Sequence, residues 1–66
     1  MTIIVNGENK DFDKDTILSD VLEKLSLTGK VMAAAVNMNI VKQDQWNTHV
    51  LQDGDKLELL DFVGGG

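Results

Sequence analysis

"TIIVNGENKDFDKDTILSDVLEKL", residues 2–25, changes its apolar period half-way along, and that change sets the fold class. The first half opens with a β-branched run and then Asn6-Gly7. Asn-Gly between strand-like segments is a strong hairpin signal, because a two-residue type I′ turn needs positive φ at both central positions. The reading places one strand at residues 2–6 and a second at 9–13, with Met1, Ile3 and Val5 on one face and Ile4 on the other. In the second half Leu18, Val21, Leu22 and Leu25 fall at i, i+3, i+4 and i+7, an apolar stripe along one side of a helix. Asp15 or Thr16 stands where a side chain would cap its first turn. Asp20 and Lys24 are spaced to pair, and Gly29 stands where a left-handed residue would end the helix.

Working outward, "VMAAAVNMNIV" (residues 31–41) reads as a strand, a tight reversal at Asn37–Asn39 and a short strand, since asparagine tolerates the left-handed region. "KQDQWNTHV" (residues 42–50) has no clear period and is expected to be an irregular connection with a helical turn. Asp53-Gly54-Asp55 is a turn, and "KLELLDFV" (residues 56–63) is the last strand. Its alternation sends Leu57 and Leu59 one way and Glu58, Leu60 and Phe62 the other. A hairpin, one amphipathic helix and further strands predict an α+β sheet with the helix on one face. The expected core is Ile3, Val5, Leu18, Val21, Leu22, Leu25, Ala34, Val36, Leu57 and Leu59. One domain spans residues 1–63, and Gly64–Gly66 form a flexible tail outside it.

Composition removes several function classes. A chain of 66 residues offers one small core. With no cysteine it has neither disulfides nor thiolate–metal sites, and the single His49 cannot build a zinc site alone. The net charge is −5 and every basic residue is a lysine. An acidic surface without the guanidinium fork is poorly suited to a phosphate backbone, so no nucleic-acid partner is expected. No apolar run approaches the roughly 20 residues of a membrane span, and "MTIIVNGENK" lacks a signal-peptide layout. A soluble, cytoplasmic protein is the expectation.

A search for catalytic residues returns little. Asp11, Asp13, Asp15, Asp53 and Asp55 sit beside turns and read as solvated surface, without the glycine and distal glutamate of a calcium loop. His49 has no evident nucleophile to activate and reads as structural. Trp46 reads as the cover over one end of the core. No phosphate-cradling glycine motif is present, so the chain itself should hold no nucleotide. Two features remain. Ile4, Leu60 and Phe62 share the face turned away from the core, which would make an apolar interaction patch if their strands are neighbours. The run Gly64-Gly65-Gly66 is an entropically costly way to finish a fold.

Those features, with the length and the element order, resemble one family over the whole chain. "AAAVNMNIVKQDQWNTHVLQDGDKLELLDFVGGG" (residues 33–66) is similar to the ubiquitin-like β-grasp sulfur carriers, most closely the ThiS-type carriers of thiamine biosynthesis. Lys42 departs from the pattern, where many relatives would be expected to carry proline. The resemblance implies a mixed four- to five-stranded β-grasp sheet with one main helix packed on one face. It implies a protein that is not an enzyme and binds no cofactor. A ThiF-type adenylating enzyme would use its own ATP to activate the Gly66 carboxylate, and a sulfur-donating enzyme would then supply the sulfur. The resulting thiocarboxylate would serve a ThiG-type thiazole synthase. Gly64 and Gly65 would thread the partner's active-site channel, and Ile4, Leu60 and Phe62 would dock. The alternatives are a carrier like the molybdopterin synthase small subunit, or a non-covalent adaptor with an idle tail.

Overall fold

The computed structural model describes residues 1–61, so Phe62 and the predicted glycine tail lie outside the described residues. Five strands run β1 (Thr2–Val5), β2 (Glu8–Asp11), β3 (Val31–Val36), β4 (Asn39–Val41) and β5 (Lys56–Asp61), with helix α1 (Leu18–Lys24) between β2 and β3. They form one sheet in the order β2-β1-β5-β3-β4. β1 and β5 are parallel, and the other neighbours are antiparallel. This is the expected β-grasp, with the last strand in the middle.

Both reversals follow from their turn residues. Asn6 (φ 48°) and Gly7 (φ 87°) join β1 to β2 in register Val5↔Glu8, as a type I′ turn requires. Asn37 (φ 51°) and Met38 (φ 71°) do the same between β3 and β4. β2 stops at Asp11, two residues short of the expected end; Phe12 still exchanges bonds with Met1, its N–H donating to Met1 C=O at 2.8 Å and its C=O accepting from the Met1 ammonium at 2.7 Å, and it packs on the core.

The helix ends differ from expectation. No side chain caps its start; Thr16 Oγ1 donates instead to Asp13 C=O at 2.7 Å. The free N–H groups of Leu18 and Ser19 are taken by the carbonyls of His49 (2.9 Å) and Trp46 (3.0 Å). A loop distant in sequence caps the helix, which local spacing could not reveal. At the other end Ser26 takes φ 60°, Leu27 N–H reaches Leu22 C=O at 2.7 Å and Ser26 N–H reaches Glu23 C=O at 3.0 Å. That is a Schellman closure on serine, ahead of Gly29. Among the described residues the one ion pair is Lys10–Glu8 at 3.5 Å, so Asp20 and Lys24 do not join.

The core between helix and sheet contains every expected residue except Leu25, which is half-buried, and adds Val31, Val41, Trp46 and Leu51. Trp46 covers one end, as expected, and its Nε1 donates to Val41 C=O at 2.8 Å. Asp55 corrects the reading of the acids as solvated: it is 8% exposed. Its Oδ2 accepts Gln52 N–H at 2.8 Å and its Oδ1 accepts Asn37 Nδ2 at 2.9 Å. Among the described residues no helix is long and apolar enough to cross a membrane, and no acid–histidine group could hold a metal.

Candidate functional site

β5 leads directly toward the residues on which the expected chemistry rests. Its inward side chains, Leu57 and Leu59, are buried in the core, and its outward ones face away from the helix. On that outer face Leu60 lies opposite Ala33, and Ala35 lies opposite both Glu58 and Ile40. Leu60 is 60% exposed and Ile40 73%. Leu60, Ala33, Ala35 and Ile40 line a shallow, largely apolar depression with Glu58 and Asn6 at its edge.

The patch read from the sequence is therefore only partly assembled. β1 and β5 are neighbours, and Ile4 and Leu60 share the outer face. Ile4, however, lies opposite Lys56, near the start of β5, and lines a separate hollow with Gly7, Lys56 and Glu58. Phe62 lies outside the described residues. The apolar neighbours that Leu60 does have, Ala33, Ala35 and Ile40, come from β3 and β4. Alternation in "VMAAAV" puts Ala33 and Ala35 on that face. Without knowing that β3 flanks β5, nothing joined them to Leu60.

β5 is fixed at both ends by asparagine amides. At its start Asn37 N–H donates to Lys56 C=O (2.8 Å), and Lys56 N–H donates to Asn37 Oδ1 (3.0 Å). Near its end Leu59 N–H donates to Asn6 Oδ1 (2.8 Å), and Asn6 Nδ2 donates to Leu59 C=O (3.3 Å). His49 lies by the start of the strand, in a groove of mixed character with Gln45, Val50, Gln52 and Asp55. Asp55 is already committed to Gln52 and Asn37.

The β-grasp sheet with its last strand central, and the three glycines that follow that strand in the sequence, agree with the family comparison. Residues 3–66 fit the ThiS family. The chain belongs to the ThiS family. It is 32% identical over 66 residues to the sulfur carrier protein ThiS of Escherichia coli K12, covering the whole of both chains. The crystal structure of the thiamine biosynthesis protein ThiS from Geobacter metallireducens superposes with a TM-score of 0.81 at 26% identity, again over the whole of both chains. A thiazole synthase of Paramagnetospirillum magneticum is also 32% identical over 66 residues, and there the chain spans 20% of the relative's length. The ThiS match includes Gly64, Gly65 and Gly66, which the sequence reading singled out.

Proposed function

We propose that this ThiS-family chain is a sulfur carrier of thiamine biosynthesis and that its working group is the Gly66 carboxylate. The supporting observation is the end-to-end match to a sulfur carrier protein, glycine end included. A carboxylate is a poor electrophile because resonance spreads its charge. A ThiF-type enzyme, using ATP that it binds itself, joins the Gly66 carboxylate to AMP and releases pyrophosphate. A sulfur nucleophile then attacks the acyl carbon and expels AMP. With sulfide as the nucleophile a thiocarboxylate remains directly; with a persulfide donor the acyl disulfide formed first is cleaved by a thiol, which leaves joined to the donor as a disulfide. This group passes sulfur to a thiazole synthase, a partner supported by the thiazole synthase relative that contains a similar stretch.

Glycine suits the end of such a chain because any Cβ would narrow the fit in a channel and crowd the reacting carbonyl. Extended, Gly64–Gly66 reach about 10 Å. The outer face of the sheet docks the partner through Leu60, Ile40 and the alanines between them, with Phe62 and Ile4 extending the contact. Intact-mass measurement after incubation with a ThiF-type enzyme, ATP and sulfide tests the reading. A gain equal to sulfur minus oxygen is expected, and removal of Gly66 should abolish it without lowering the melting temperature. An unchanged mass, with the enzyme active on its own carrier, would overturn the reading.

A further inference from the structure

The parallel ladder between β1 and β5 stops before β5 does. Asn6 N–H donates to Leu57 C=O at 2.9 Å, the last backbone bond β1 gives to β5. Asn6 and Gly7 then carry the chain away into β2. Backbone groups alternate sides along a strand, so the next ones on the β1 side are those of Leu59. The Asn6 amide takes both of them, its Oδ1 accepting the N–H and its Nδ2 donating to the C=O. One side chain thus stands in for the missing strand. Beyond Leu59, pairing continues with β3 alone, through Ala33↔Leu60 and Val31↔Asp61, and a bulge lies between those two pairs.

We infer that Asn6 is a positioning residue for sulfur transfer: its amide holds the β1 side of β5 at Leu59, the last point among the described residues where both edges of the strand are fixed, and so steadies the chain presented to the activating enzyme. This consequence rests on the carrier reading; the amide geometry does not. Without the amide, β5 is held from one side only past Leu57. The partner must then order more backbone on binding, which weakens association and leaves the bonded chemistry unchanged. Aspartate is a poor substitute, because it keeps an acceptor for Leu59 N–H but sets a carboxylate oxygen against Leu59 C=O.

Asn37 supplies the control. It occupies the same position in the other two-residue turn and gives the same kind of amide bond to β5, but at the strand's start. Glycine adopts positive φ freely, so Asn6→Gly and Asn37→Gly each keep the turn and lose only the amide. Initial rates of activation by a ThiF-type enzyme, with the intact chain as varied substrate, separate KM from kcat. Asn6→Gly should raise KM about three- to tenfold at unchanged kcat, and Asn6→Asp should fall between it and the parent. Asn37→Gly should leave KM unchanged even if it melts lower. Amide exchange at Leu59 should quicken in Asn6→Gly and not in Asn37→Gly. Equal KM increases in both glycine variants would reduce Asn6 to a stability residue and overturn the inference, as would unaltered Leu59 exchange with unaltered KM. A parent chain that never gains sulfur would instead overturn the carrier reading. Leu59 exchange would still report the amide's hold on the strand.

Discussion

Asp55 looks like any other acid in the sequence, yet it is the one buried acid among the described residues. Both of its oxygens face donors, Gln52 N–H and Asn37 Nδ2. Asp55→Asn would turn a donor toward one of them. Flipping Asn37 would not relieve the conflict, because its Oδ1 already accepts Lys56 N–H. The substitution should cost about 1–3 kcal/mol, read from urea unfolding; a loss under about 0.5 kcal/mol would mean the network relaxes freely. Ser26 carries the opposite sign. It holds the left-handed position of the Schellman closure with φ 60°. Ser26→Gly should stabilise by about 0.5–1 kcal/mol, because relief of the Cβ strain exceeds the added freedom of the unfolded chain. An unchanged or lower midpoint would count against strain at this position. The sequence flagged Asn6-Gly7 and Asn37 because their chemistry is local. It could not flag Asp55 or Ser26, whose roles depend on what lies across the turn or one helical turn back.

Helix α1 spans only Leu18–Lys24, too short to persist alone in water. Its apolar stripe was legible, since period is a local property. Its N-terminal cap was not, because the carbonyls of Trp46 and His49 come from the aperiodic connection after β4. That connection is therefore part of the helix's support. Trp46 anchors it, with the ring in the core and Nε1 on Val41 C=O. Trp46→Phe keeps most of the apolar volume but removes the Nε1 bond to Val41 C=O and loosens the loop that caps Ser19. It should cost about 1–3 kcal/mol, which in a domain this small lowers the melting temperature by at least about 4 °C. In the parent chain, helical circular dichroism and the near-ultraviolet signal of Trp46, the one tryptophan, should be lost together on heating. If helicity survived well past the near-ultraviolet transition, the connection would not be what holds α1.

The two faces of the sheet divide the protein's tasks. The inner face carries nearly all the stabilising burial, and its residues were legible because strand alternation and the helical stripe point to the same side. The outer face was legible only in part. Leu60 and Ile4 were named, but the strand order that seats Leu60 beside Ala33, Ala35 and Ile40 is a tertiary fact. If that face docks the activating enzyme, substitutions on the two sides of the sheet should separate stability from association. Leu57 is fully buried, and Leu57→Ala should cost about 2–5 kcal/mol and unfold much of the chain at moderate temperature. Ile40 is exposed on the short strand β4. Ile40→Asp should stay within about 0.5 kcal/mol of the parent in stability. It should weaken the complex by about 1–2 kcal/mol, a five- to thirtyfold rise in KM for activation. Reversal of that pattern, with Ile40→Asp unstable but fully active as substrate, would mean that partners approach the tail from elsewhere.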